Sequence, residues 1–199
     1  MWYDYIIEIV IGYLCGSISP SVLLTKFAFK KDVREEGSGN AGATNVARVF
    51  GMKAGLITLG CDVLKIVVPM LIGMLLDGER GVCVAGIAGI SGHCFPVFFN
   101  FRGGKGVSVA ATIAAFLGWQ VLVIALSAFI VMVLITRIVS ISSIVAAATL
   151  FAMTLVFYGD NVYKMILAAV TMVLIIFMHR ENIKRLIKGE EKKFTPGKK

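Results

Sequence analysis

The sequence predicts an all-α, polytopic membrane bundle of seven helical transmembrane segments, with its N-terminus outside and its C-terminus cytoplasmic. Three observations point there. Of 199 residues, 58% are hydrophobic and 16% charged, whereas a soluble domain carries about 25% charged residues; mean hydropathy is +0.87. Apolar runs recur at the length that crosses a bilayer, about 20 residues for a hydrocarbon core of about 30 Å. The basic residues gather in alternate connecting segments, as cytoplasmic loops do. This composition excludes a water-soluble globule and a disordered chain. The net charge of +8 is accounted for by topology, so the expected partner is the lipid bilayer and no nucleic acid.

Residues 5–24 form the first run. Asp4 and Glu8 precede or open it and no basic segment does, so it is expected to remain as a span and not to be cleaved as a signal peptide. Residues 54–76 and 82–101 form the second and third. The run 107–136 is too long for one untilted crossing, and Gly118-Trp119-Gln120 interrupts it; two helices fit better. The first of these, 107–117, reaches across only if it starts from a glycine loop sunk in protein, because backbone facing lipid must satisfy its own hydrogen bonds. Residues 144–158, extended by 140–143, and residues 162–178 complete the set.

The bases test this order. Loop 25–53 holds six, residues 102–106 two, residues 137–143 one and the chain from Arg180 onward eight, while the opposite side holds Arg80; Lys65 and Lys164 fall inside spans. A single crossing over 107–136 would move Arg137 and the basic tail outside, against the positive-inside bias. The expected organisation is one membrane domain over 1–189 and a basic, flexible tail over 190–199.

Four cysteines, Cys15, Cys61, Cys83 and Cys94, sit in apolar stretches, and the only histidines are His93 and His179. That inventory suits neither a zinc site nor a disulfide framework. Polar chemistry concentrates in four places. The first loop runs Gly37-Ser38-Gly39-Asn40-Ala41-Gly42-Ala43-Thr44-Asn45, followed by Arg48. Glycines let backbone amides approach an anion, the polar side chains add donors, and arginine offers a bidentate fork, so the string suits a phosphate. It is neither a Walker loop nor a dinucleotide fingerprint; a flexible connector is the plainer alternative.

The second cluster is His93 followed by Arg102-Gly103-Gly104-Lys105-Gly106, directly ahead of a helix at Val107. A glycine turn at a helix N-terminus with a mobile cation favours phosphate, although it also reads as a tight turn with topology-setting bases. The third is Arg137 with Ser142 and Ser143. The fourth is His179 and Asn182, which share a helical face at i and i+3. Asp62 and Lys65, three apart within a span, read as a structural ion pair. Four polar clusters at one membrane surface could line a single anion pocket, in an enzyme or in a carrier of a phosphorylated metabolite.

These residues resemble the bacterial acyl-phosphate-dependent glycerol-3-phosphate acyltransferases. GSGNAGATNVAR at 37–48, GHCFPVFFNFRGGKGV at 92–107 and TRIVSISS at 136–143 look like that family's three motifs in order, with DVLK at 62–65 and HRENIKRL at 179–186 also similar. Ala41 stands where many members have proline and Arg102 where lysine is expected; Gly189-Glu190-Glu191 lacks an intervening threonine.

The resemblance implies a bacterial cell-membrane enzyme with a cytoplasmic active site. It would transfer a fatty acyl group from acyl phosphate to the 1-hydroxyl of glycerol 3-phosphate, releasing lysophosphatidic acid and phosphate in the first acylation of phospholipid synthesis. No metal or organic cofactor is implied; a soluble enzyme supplying acyl phosphate would be a transient partner. On this reading Arg48 and the amides from Ser38 to Asn45 hold the leaving phosphate, and Lys105 with Gly103 and Gly104 a second phosphate. Arg137 with Ser142 or Ser143 provides wall and charge. His93, His179 or a donor phosphate oxygen takes the proton. Ser38 is the nucleophile only in a covalent alternative.

Overall fold

The computed structural model describes residues 2–194, the side chain of Trp2 excepted. Helices α1 (Trp2–Ser17) and α2 (Pro20–Phe29) together form the first apolar run. The expected single helix breaks before Pro20, which has no N–H to continue the ladder and starts α2 at its first position. Part of the first loop is itself helical: α3 spans Ala43–Phe50 from an N-cap at Gly42.

Helical residues then run from Met52 to Cys94 as α4, but Asp77 and Gly78 leave helical geometry, Gly78 at φ 60°. The chain doubles back there. A side chain on Gly73 would strike the carbonyl of Gly81, and one on Gly89 would meet Ile66, so α4 is a helical hairpin with arms 52–76 and 79–94. Its second arm packs on α1 through small residues: a Cβ on Gly16 would enter the Gly89 backbone, and one on Gly92 would strike Tyr13 O. Such close crossings are how helices associate where lipid removes the hydrophobic incentive.

The second arm ends at Cys94, short of the expected 101, because Pro96 follows and residues 97–99 form only a 3-10 turn. Helices α5 (Val107–Leu117) and α6 (Trp119–Thr136) split at Gly118 as expected. Gly118 is where the Tyr158 ring fits, and Tyr158 donates to Gln120 Oε1 at 3.0 Å. Helix α7 (Val139–Tyr158) returns through the bundle, α8 (Val162–Met178) follows, and α9 (Arg180–Ile187) leaves α8 at 56°.

The core lies between both arms of α4 and helices α5 to α8, around Ile66, Ile90, Ile113, Leu117, Leu150 and Leu167. The outer helix faces are apolar and exposed, as at Leu64, Leu75, Leu134 and Val156, which suits lipid. At one end Lys164 lies 3.5 Å from Glu79 and over the Tyr158 ring. All four polar clusters lie at the other end.

Candidate active site

The first loop is built by Arg34 and Asn45. Arg34 forks onto Asp32, with Nη2 at 2.8 Å from Oδ2, and donates Nη1 to Phe99 O at 2.9 Å. These hydrogen bonds hold the Asp32 carboxyl well below the usual carboxylate range, and they tie this loop to the second. Asn45 Nδ2 donates to the carbonyls of Val33, Glu36 and Asn40 at 3.1, 2.9 and 3.2 Å, while its Oδ1 accepts from Ser38 N at 2.9 Å. Its amide is spent on the loop, so Asn45 sets the loop's shape. Arg48, one turn along α3, stacks on Phe194 at 5.9 Å and has no hydrogen bond or ion pair among the described residues.

The second loop folds onto the end of α4. Gly104 N donates to His93 O at 3.1 Å. A Cβ on Gly103 would collide with His93 O, one on Gly104 with His93 Nε2, and one on Gly106 would press on Ile90. These glycines serve close packing and do not line the cavity. Lys105 between them reaches Asn182 Oδ1. Burial pushes its ammonium down to about 8; the charges of Arg185 and Arg48 add to this and Glu191 opposes it.

The tail, expected to be free from residue 190, is held as far as Phe194. Glu191 Oε1 accepts from Asn182 Nδ2 at 2.6 Å and Ser140 Oγ at 2.8 Å, Oε2 accepts from Arg185 Nε at 2.7 Å, and Phe194 N donates to Arg137 O at 2.7 Å. Residues 195–199 of the expected flexible tail lie outside the described residues. The bend at His179 turns α9 under the bundle; His179 donates Nδ1–H to Ile175 O at 2.8 Å, leaving Nε2 as an acceptor.

These groups enclose a cavity of about 630 Å³. Its rim carries Gly37, Ser38, Asn40, Gly42, Thr44, Asn45, Arg48, His93, Lys105, Ser143, His179 and Asn182 from the expected set. Gly39, Gly103, Gly104, Gly106, Arg137 and Ser142 stand outside the lining; Ser142 donates its hydroxyl to Ile138 O at 2.9 Å. Ser108, Ser140, Arg185, Glu191 and Lys192 also line it, none of them singled out from sequence. Inward, the walls turn apolar: Ala110, Ala114, Ala125, Phe129, Ala147, Leu150 and Ile175. The cavity is therefore amphiphilic, cationic at its mouth and hydrocarbon-like in depth, and suits a molecule with an anionic head and an apolar tail.

At its edge Asp62, Lys65 and His93 form one buried cluster, their side chains 2%, 6% and 4% exposed. Lys65 Nζ lies 2.9 Å from Asp62 Oδ1, 3.0 Å from His93 Nδ1 and 2.7 Å from Ile18 O, and Ser108 Oγ donates to Asp62 Oδ2 at 3.0 Å. The pair read as structural from sequence is thus joined to a cavity-lining histidine and serine.

Comparison with known proteins gives a consistent result. The chain matches the protein family described as "Glycerol-3-phosphate acyltransferase" over residues 6–189. It is 42% identical over 195 residues to a glycerol-3-phosphate acyltransferase of Thermoanaerobacter pseudethanolicus, covering 94% of each chain. It is 39% identical over 190 residues to glycerol-3-phosphate acyltransferase 2 of Bacillus anthracis, covering 96% of this chain and 99% of that one. Among solved structures, it superposes on an integral membrane glycerol 3-phosphate acyltransferase, PlsY, in its glycerol 3-phosphate form with a TM-score of 0.90 and 36% identity, covering 96% of each chain. The lysophosphatidic acid form of that enzyme gives 0.87 and 35%, covering 96% and 95%. By sequence and by fold, this chain belongs to the glycerol-3-phosphate acyltransferase family of integral membrane enzymes of phospholipid synthesis.

Proposed function

We propose that this chain transfers a fatty acyl group from acyl phosphate to the 1-hydroxyl of glycerol 3-phosphate, working from the cytoplasmic side of a bacterial cell membrane. The observation that carries this reading is the amphiphilic cavity, in which cations and donors ring the mouth and an alanine-rich slot runs inward. Both substrates bring a phosphate, and one brings a long hydrocarbon chain. Membership of an acyltransferase family replaces the reading as a carrier.

Acyl phosphate is an activated mixed anhydride, so the glycerol hydroxyl attacks the acyl carbonyl directly and positioning supplies most of the rate. A new ester C–O bond forms, the acyl C–O bond to phosphate breaks, and the phosphate leaves with the electron pair. A phosphate oxygen of the donor accepts the hydroxyl proton. Arg48 compensates the leaving phosphate; Lys105 with Asn182 holds the phosphate of glycerol 3-phosphate; His179 Nε2 accepts from a glycerol hydroxyl. Ser38 has no histidine or carboxylate bonded to its hydroxyl among the described residues, which supports direct transfer over an acyl-serine.

The arrangement in the membrane is a single domain over 1–189 with seven helical segments, its N-terminus outside. The hairpin in α4 and the break at Gly118 support seven, since the first keeps the runs 54–76 and 82–101 apart and the second divides the run 107–136 into two segments. The positive-inside distribution supports the orientation. A soluble enzyme that makes acyl phosphate is the transient partner. The test is purified protein in detergent given acyl phosphate and glycerol 3-phosphate: lysophosphatidic acid and phosphate form in equal amounts, and acyl-CoA offered in place of acyl phosphate yields neither. Product from acyl-CoA alone overturns the donor assignment.

A further inference from the structure

The buried Asp62–Lys65 pair lies behind two cavity-lining side chains whose hydrogen-bond polarity it dictates. An ammonium group has three N–H donors and no acceptor. Those of Lys65 point to Asp62 Oδ1, Ile18 O and His93 Nδ1 at 2.9, 2.7 and 3.0 Å, so all three are used. His93 Nδ1 must then carry its lone pair outward to Lys65. The competing contact, Nδ1 to Asp62 Oδ1, is 3.6 Å, too long for a hydrogen bond. The ring proton of neutral His93 therefore sits on Nε2, in the space a Gly104 Cβ would fill, and Nε2 has no partner among the described residues. Ser108 is set the opposite way. Its hydroxyl proton goes to Asp62 Oδ2 at 3.0 Å, so it offers the cavity only lone pairs.

We propose that Asp62 and Lys65 are positioning residues that fix His93 as an Nε2–H donor to a substrate phosphate oxygen and Ser108 as an acceptor for a glycerol hydroxyl. This rests on the acyl-transfer reading above and deepens it. His93 is thereby removed as the proton acceptor of the reaction, one of the roles its sequence position had left open. A wall with a donor beside an acceptor fits a phosphomonoester that also carries a free hydroxyl, and it discriminates against an anion without one.

The chain has two histidines, which makes the test direct. The full protein, labelled with ¹⁵N-histidine and reconstituted in lipid nanodiscs without substrate, should show opposite tautomers. His93 should have an unprotonated, pyridine-type Nδ1 and a protonated Nε2, and His179 the reverse; His93→Gln assigns the signals by deletion. A protonated Nδ1 on His93 overturns the proposal, whatever the enzyme's activity. Lys65→Met should abolish the fixed tautomer, and a signature unchanged in that variant refutes its dependence on Lys65.

Kinetics supply the second arm. His93→Gln keeps an N–H but has no basic nitrogen, and should retain about ten times the kcat/KM of His93→Leu, the worth of one hydrogen bond to a charged group. Equal loss in the two variants contradicts a donor role. Ser108→Ala should raise KM for glycerol 3-phosphate about fivefold, as for one lost neutral hydrogen bond, with KM for acyl phosphate unchanged; no rise removes the Ser108 half. If lysophosphatidic acid does not form at all, the acyl-transfer reading fails while the tautomer result still stands or falls by itself.

Discussion

Asn182 stands between Lys105 and Glu191: its Oδ1 accepts from the lysine and its Nδ2 donates to Glu191 Oε1 at 2.6 Å. One amide therefore orients the cation at the cavity mouth and anchors the end of the described chain. The same carboxylate holds Ser140 from α7 and Arg185, like Asn182 from α9, so three donors from two helices converge on it. Glu191→Ala leaves all three donors without their acceptor. It should lower stability by about 1–3 kcal/mol, read as a fall in thermal midpoint in detergent, and should raise KM for glycerol 3-phosphate more than it lowers kcat.

Lys105 gives the cavity a pH dependence. Burial holds its ammonium near 8, so the free enzyme loses this charge as pH rises through 8, whereas substrate phosphate has completed its second ionisation about two units lower. Anion binding favours the protonated lysine. The expected outcome is a kcat/KM for glycerol 3-phosphate that is flat between pH 7 and the lysine's transition and falls about tenfold per unit above it. Lys105→Arg should be weaker throughout, because a fork replaces a point charge, yet should stay flat over that range. A wild-type profile without the fall separates the titration from Lys105.

Arg48 has no hydrogen bond or ion pair among the described residues and lines the cavity opposite the second loop. If its guanidinium meets the charge that develops on the leaving phosphate, Arg48→Ala should lower kcat on the order of 100- to 1,000-fold, with the protein still inserted and monodisperse. Arg48→Lys should recover part of that, since charge remains but the bidentate fork is lost. Near-normal turnover in Arg48→Ala removes this assignment.

Orientation is open to labelling. In a chain with its native cysteines replaced, a cysteine at residue 40 should react from the cytoplasmic side, and one at residue 160, in the turn between α7 and α8, from the outside. The reverse pattern inverts the topology.

Much of this was legible because membrane constraints are local. Gly118 broke an apolar run too long for one crossing, and Gly37 to Arg48, Lys105, His179 and Asn182 announced themselves as polar groups at one surface. Pro20 is equally visible, but the run stays apolar across it, and hydropathy alone joins α1 to α2. Gly103, Gly104 and Gly106 carried the right signature for the wrong reason: their missing side chains admit His93 and Ile90. What stayed hidden depended on the path of the chain. Glu191 reaches Ser140 across 51 positions and Lys65 reaches His93 across 28, and no spacing rule covers contacts set by how helices pack.

The apolar end of the cavity yields the last prediction. Ala114, Ala125 and Ala147 present small side chains to it from three helices, and Leu150 lies about one turn deeper along α7 than Ala147. Small walls leave width for a methylene chain, and side chains at this depth limit its length. Ala147→Phe places a ring across the slot, about one turn along α7 inward from Ser143 at the rim. Overpacking should cost about 1–3 kcal/mol of stability, so the variant is first checked by its thermal midpoint. With short-chain acyl phosphate it should keep most of its turnover, while with long-chain donor kcat/KM should fall at least about tenfold, as the loss of a few buried methylenes at about 0.8 kcal/mol each requires. Equal loss with both donors would show that the alanine-lined slot does not receive the acyl chain.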